Sequence, residues 1–170
     1  MSEVWPDFED VYKLTEPLLI KYEGFKSKPY LCPAGKPTIG YGTRDYPSGK
    51  GVTLNDSEIS EETARLYLEE NLRKTYLRLQ RSGILSRIPT KNQTAALLSF
   101  IYNVGMGVKN DIKGDFADST LVDLFNTGDI VGASKQFLYW DKIHNPDGSV
   151  SESKGLLARR QDEAQLFLRK

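Results

Sequence analysis

Cysteine, histidine and net charge are nearly missing from this chain. One cysteine, Cys32, and one histidine, His144, occur among 170 residues, and 23 basic side chains are matched by 23 acidic ones. A lone cysteine rules out an internal disulfide framework and suits a reducing compartment. A net charge of zero gives no general attraction to nucleic acid or to an anionic surface, so any polyanionic partner must be held by local contacts. Long apolar runs are absent too: none approaches the roughly 18 residues that would cross a bilayer, and no stable membrane insertion is expected. The N-terminal "MSEVWPDFEDVYKL" is acidic and has neither a basic n-region nor an apolar h-region, so it does not read as a secretory signal. Internal repeats and low-complexity stretches are absent as well.

What is present suits a globular domain with a substantial core, since 39% of the residues are hydrophobic and 27% charged. Residues 8–22 carry apolar groups at helical spacing, with a break or fresh start expected near Thr15 to Pro17 because proline is awkward inside a helix. Gly24 reads as the position just past the helix end. From Phe25 to Leu54 the signals change to β. Pro29, Pro33, Pro37 and Pro47 oppose a helix, and "PAGK" and "YPSGKG" read as turns, so two or three short antiparallel strands are expected. A long helix follows from Ser57 or Ser60 to about Ser82, acidic at its start and basic at its end. Charges complementing the helix dipole account for that polarity without an anion site. Further helices are expected over 90–104, 119–126, 129–139 and 153–168. The stretch "IHNPDGSVSESKG" between the last two reads as a loop with a strong turn at "NPDG". The fold class is α+β: a small N-terminal sheet lobe (about 25–56) and a larger helical lobe (about 57–170 plus the first helix), in one domain spanning 1–170.

The segment "EGFKSKPYLCPAGKPTIGYGT", residues 23–43, holds the chemistry. A turn centred near Gly35 would place Cys32 and Thr38 directly opposite each other, on one face of a hairpin. Glu23 can approach that face because Gly24 lets the chain turn sharply. Such a set suits hydrolysis of an acetal. A partly desolvated glutamic acid protonates the leaving oxygen. A second group activates water or stabilises the oxocarbenium-like transition state, and a hydroxyl holds the water. A thiol of ordinary pKa is a weaker base than aspartate unless its surroundings favour the thiolate. From residue types alone, Glu23 also reads as a solvated charge at a helix end and Cys32 as a small buried hydrophobe.

This segment resembles the phage-type lysozymes, the endolysins of glycoside hydrolase family 24. Their signature is a glutamate in an E-G pair, eight residues, an aspartate or cysteine, five residues, then a threonine inside "TIGYG". Here Glu23, Cys32 and Thr38 fit it without a gap. The similarity continues through "QTAALLSFIYNVG" (93–105), "STL" (119–121), "GDIVGASKQFLYW" (128–140) and "GLLARRQDEAQLF" (155–167). The resemblance implies a lysozyme-like fold with the active-site cleft between the lobes. It implies a muramidase cutting the β-1,4 bond between N-acetylmuramic acid and N-acetylglucosamine. Glu23 would be the general acid, Cys32 would stand where aspartate is usual, and Thr38 would position the water. Tyr102 and Asn103 would line the sugar cleft. No cofactor, metal or catalytic histidine is implied, because Thr43 stands where some members carry histidine. The implied setting is a monomer that acts on peptidoglycan glycan strands and not on nucleic acid. It would accumulate in the host cytoplasm until a holin permits release.

Other readings of the same residues differ in class. Cys32 with His144 and Asn145 has the residue types of a thiol peptidase or amidase. Such a nucleophile usually opens a helix, whereas Cys32 precedes "PAGKPTIGYG". A glycan-binding module without activity would have no need of the intact Glu23, Cys32 and Thr38 set. Phe100 and Ile101 suit a core, Asn103 could cap a helix end, and Trp140 suits a packed lobe or a cleft wall. Arg159 and Arg160 read as salt-bridging residues at the lobe junction.

Overall fold

The computed structural model describes residues 4–111 and 115–170. Helix α1, Phe8–Glu23, is capped by Asp7, whose side chain accepts from the Glu9 N–H at 2.9 Å. No break occurs at Pro17, contrary to the expectation from sequence. Both Pro17 and Lys13, the residue whose carbonyl loses its helical partner, are exposed, so water replaces the missing donor. Gly24 ends the helix at φ +67° and its N–H returns to the Ile20 carbonyl.

Strands β1, Lys26–Leu31, and β2, Pro37–Gly40, form an antiparallel pair. The expected register is off by one step. Thr38 pairs with Tyr30 and Pro37 with Leu31, while the Cys32 N–H donates to the Lys36 carbonyl at 2.9 Å. The turn therefore centres on Ala34, not Gly35, and closes with the Gly35 N–H on the Cys32 carbonyl at 2.7 Å. Cys32 lies diagonal to Thr38. Because side chains alternate along a strand, the two still share one face.

Helix α2, Glu61–Ser82, starts at Ser60, whose hydroxyl caps the Thr63 N–H, and ends at left-handed Gly83. It joins the lobes: the Tyr41 hydroxyl donates to Glu61 at 2.5 Å, and Asn71 Nδ2 donates to the Asp45 carbonyl at 2.9 Å. Helix α3, Lys91–Val104, opens with a capping box between Thr90 and Gln93. Every residue from Thr94 to Ile101 is buried, which makes α3 the axle of the helical lobe. Against it pack α1, α2 and α6 (Lys154–Leu168), while α4 (Thr120–Thr127) and α5 (Ile130–Gln136) pack on each other and α5 on α6. Phe100 is the hub, edge-on to Phe137 (5.3 Å between ring centres), Trp140 (5.2 Å) and Phe116 (6.2 Å).

Two details of the C-terminal half depart from the sequence reading. The helix expected over 129–139 is α5 followed by a 3-10 turn, Phe137–Tyr139. The expected loop before α6 contains a second hairpin, β3 (Lys142–His144) paired with β4 (Val150–Glu152). The "NPDG" turn is where sequence placed it, with the Asn145 N–H on the Ser149 carbonyl and the Gly148 N–H on the Asn145 carbonyl. Strands of only three residues are too short for an alternation that sequence could display.

Candidate active site

Between the sheet lobe and the helical lobe runs a cleft of about 910 Å³. All five residues singled out from sequence line it: Glu23, Cys32, Thr38, Tyr102 and Asn103. Among the described residues, Glu23 is the only acidic side chain in that lining, against Lys26, Lys36, Arg44, Lys142 and Arg159. A neutral chain thus has a locally cationic cleft.

Glu23 sits on the last residue of α1, and its side chain keeps 19% of its exposure. Its Oε1 accepts from Arg159 Nη1 at 2.7 Å, reaching from α6. A β-carbon added at Gly42 would stand 2.5 Å from Glu23 Oε2, and Gly42 itself has φ +75°. Only glycine meets both conditions.

Cys32 and Thr38 belong to the first hairpin, and both are buried. Burial pushes the Cys32 thiol up, yet the N–H groups of Lys36 and Ala34, the Thr38 hydroxyl and the Arg44 charge together bring it below its ordinary value. The turn and Arg44 thus make the thiolate easier to reach than in a free thiol, which sequence alone left open. The Thr38 hydroxyl donates to the Lys36 carbonyl at 2.9 Å. Tyr30, which sequence reasoning passed over, pairs with Thr38 and also lines the cleft. Burial pushes its phenol up, with the Glu23 and Cys32 charges adding to the shift. Its position becomes visible only once the register is known.

On the helical side, the Tyr102 hydroxyl donates to the Tyr41 carbonyl at 2.7 Å, and burial pushes that phenol up. Asn103 Oδ1 accepts from Arg160 Nη2. Trp140 does two jobs at once, lining the cleft while packing edge-on against Phe100. Arg159 and Arg160 are indeed ion-paired, both to Glu163. Sequence reasoning saw the arginines but neither their carboxylate nor the bond to Glu23.

His144 also lines the cleft, at the end of β3 and not in a loop. Asn145 is committed elsewhere, since its Nδ2 bonds Ser149 and Ser151. Away from the cleft, Asp111, Asp115 and Asp118 bring carboxylate oxygens within 4.8 Å of one another, the only such group among the described residues. Asp118 there caps the N–H groups of Asn110 and Asp111. None of the three lines the cleft.

A sheet lobe and a helical lobe enclosing a cleft, with one carboxylate, one thiol and a buried hydroxyl in its lining, define a lysozyme-like protein. Comparison with known proteins narrows the class. The sequence model of the phage lysozyme family matches residues 20–163. The chain is 34% identical over 152 residues to the endolysin of Acyrthosiphon pisum secondary endosymbiont phage 1, covering 88% of this chain and 92% of that one. It is 33% identical over 151 residues to the endolysin of Salmonella phage P22, with the same coverage of 88% and 92%. Among solved structures it is similar to an endolysin from the Escherichia coli phage FAHEc1, with a TM-score of 0.75 and 28% identity, covering 98% of this chain and 95% of that one. The chain belongs to the phage lysozyme family. Among the described residues no helix is long and apolar enough to cross a membrane.

Proposed function

We propose that this protein is a muramidase of the endolysin type, hydrolysing the β-1,4 bond between N-acetylmuramic acid and N-acetylglucosamine in peptidoglycan with Glu23, Cys32 and Thr38. The observation that carries the catalytic roles is that, among the described residues, Glu23 is the one carboxylate lining the cleft, while Cys32 shares that cleft with its thiol held below the ordinary value. Glu23 donates its proton to the glycosidic oxygen as the bond from that oxygen to the muramic acid C1 breaks. Water held by Thr38 adds to C1 and gives up a proton to the Cys32 thiolate. Exchange with solvent then returns a proton to Glu23 and removes one from Cys32. Tyr102 offers the sugar its ring, because its hydroxyl is held by Tyr41. Asn103 offers Nδ2, because its Oδ1 is held by Arg160.

Residues 1–170 act as one catalytic unit in this reading, since the acid on α1 is held by an arginine on α6. The thiol-peptidase reading loses its support from the fold: Cys32 follows a strand and opens a turn, not a helix, and Asn145 is tied into its own turn. A stay inside the host until a holin opens the membrane belongs to the same proposal.

Purified peptidoglycan digested by the protein should yield muropeptides ending in a reducing muramic acid, identified by mass spectrometry. Mainly 1,6-anhydro products would show a lytic transglycosylase and remove the hydrolytic water. Cells expressing the protein should stay intact until permeabilised. Prompt lysis during expression alone would overturn the holin-dependent setting.

A further inference from the structure

Glu163 lies outside the cleft lining and is completely buried on α6. Its Oε1 accepts from Arg159 Nε at 3.1 Å and from the Ser99 hydroxyl at 3.3 Å, and its Oε2 accepts from Arg160 Nη1 at 2.7 Å. Each arginine then reaches onward. Arg159 extends Nη1 to Glu23 and Nη2 to the Ser99 carbonyl at 2.8 Å. Arg160 extends Nε to the Trp140 carbonyl at 3.0 Å and Nη2 to Asn103 Oδ1. Its guanidinium also stacks 4.8 Å from the centre of the Phe100 ring. One carboxylate therefore fixes two planar forks. One fork ends on the acid, the other on two residues of the helical wall.

Charge accompanies the geometry. A guanidinium beside a carboxylate favours the ionised form, whereas a general acid must hold a proton when substrate arrives. Arg159 bonded to Glu23, with the Arg160 charge behind it, would oppose that requirement strongly without Glu163. With Glu163 ionised, only one of the two cationic charges is left uncompensated when Glu23 holds its proton. Burial pushes the Glu163 carboxyl up, while both guanidiniums act in the opposite direction. A carboxylate accepting from both arginines is the form this geometry accommodates.

Resting on the muramidase reading, we propose that Glu163 is a positioning residue with two outputs. Through Arg159 it sets the orientation and charge environment of Glu23. Through Arg160 it holds Asn103 and Trp140 in place to receive the sugar. The Glu23 charge also acts on Tyr102 from α3 and Tyr30 from the first hairpin, and Cys32, Arg44 and Tyr22 share the cleft lining with it. None of these bonds Glu163, whose partners are Arg159, Arg160 and Ser99.

The test is the pH dependence of kcat and KM on purified peptidoglycan strands for Glu163→Gln and for the Glu163→Gln/Arg160→Gln double variant. Glu163→Gln leaves both arginines uncompensated, so the alkaline limb of kcat should move to lower pH by about one unit, the scale on which a nearby charge acts. The double variant restores charge balance, so that limb should return toward its wild-type position. Its KM should rise severalfold, because Asn103 and Trp140 lose their tether. A Glu163→Gln enzyme with an unmoved limb and only a lower melting temperature would reduce Glu163 to a structural ion pair and overturn the proposal. Should Glu163→Gln fail to fold, the double variant has lost both partners of a buried pair, a far milder change than losing one. A wild-type KM in that variant would also overturn it. If the wild-type protein released no reducing muramic acid, the muramidase reading itself would fail, independently of both variants.

Discussion

Glu23 and Cys32 belong to different walls of one cleft, and different physics holds them there. Cys32 stands in a turn whose bonds are local: its N–H reaches Lys36, its carbonyl takes the Gly35 N–H, and Thr38 lies across the diagonal. Glu23 is held by a side chain from the far end of the chain, Arg159, itself locked by Glu163 and the Ser99 carbonyl. The sheet wall is a backbone template with little core of its own, and Leu31 on its outer strand is 54% exposed. The helical wall is a buried network of charges against the packed aromatic hub of α3. Local backbone geometry tunes the reactivity of a thiol, whereas a long-range ion network fixes the place of an acid.

Substitutions can break this contrast in order of size. Glu23→Gln should lose the most, about 10²–10⁴ in kcat, the usual worth of a general acid. Its melting temperature should stay near wild type, because the amide can still accept from Arg159. Near-normal turnover by the folded variant would remove Glu23 from the mechanism.

Phe100→Ala strikes the hub of the helical wall and should cost about 3–5 kcal/mol in a denaturant melt. A loss below about 1 kcal/mol would mean that the hub collapses around the cavity.

Cys32 comes next. Cys32→Ala should lose roughly tenfold or more in turnover, since the base contribution disappears, while Cys32→Asp should keep substantial activity. Because the thiol is held below its ordinary value, the thiolate should already react with an alkylating agent at a pH where a free thiol is slow. The sign for stability follows from the same shift. Ionised Cys32 favours the fold above the unfolded thiol's pKa, and that contribution fades as pH falls through the lower folded value. An active Cys32→Ala enzyme would return the residue to the role of a small buried hydrophobe.

Leu31→Ala should do least, within about 0.5 kcal/mol, as expected for an exposed position. A larger loss would show that the sheet wall has packing of its own.

What sequence revealed tracks the same divide. The Glu23, Cys32 and Thr38 set occupies one short segment, so its spacing could be read directly. The helix end at Gly24 follows from a single residue, and Ser60 is one of the two starts expected for α2. Glu163 was invisible for the opposite reason. A glutamate in an arginine-rich terminal helix has the composition of a solvated face, and only tertiary packing encloses it. The register slip between Cys32 and Thr38 arose because "CPAGK" admits two turn centres whose difference is a single residue. Pro17 misled because its cost depends on whether the orphaned carbonyl meets water, which composition does not reveal.

Gly42 has a consequence for how relatives of this chain should be read. Two independent constraints hold it, the carboxylate of Glu23 and a left-handed backbone. Shortening residue 23 removes the first and leaves the second untouched, so mutational drift that abolishes activity gives position 42 no freedom to vary. The glycine-rich turn can thus outlive the chemistry as a mark of ancestry. A lineage that has lost its acid would still carry "TIGYG" as a vestige, and the diagnostic letter is the glutamate on α1, not the glycines that shelter it.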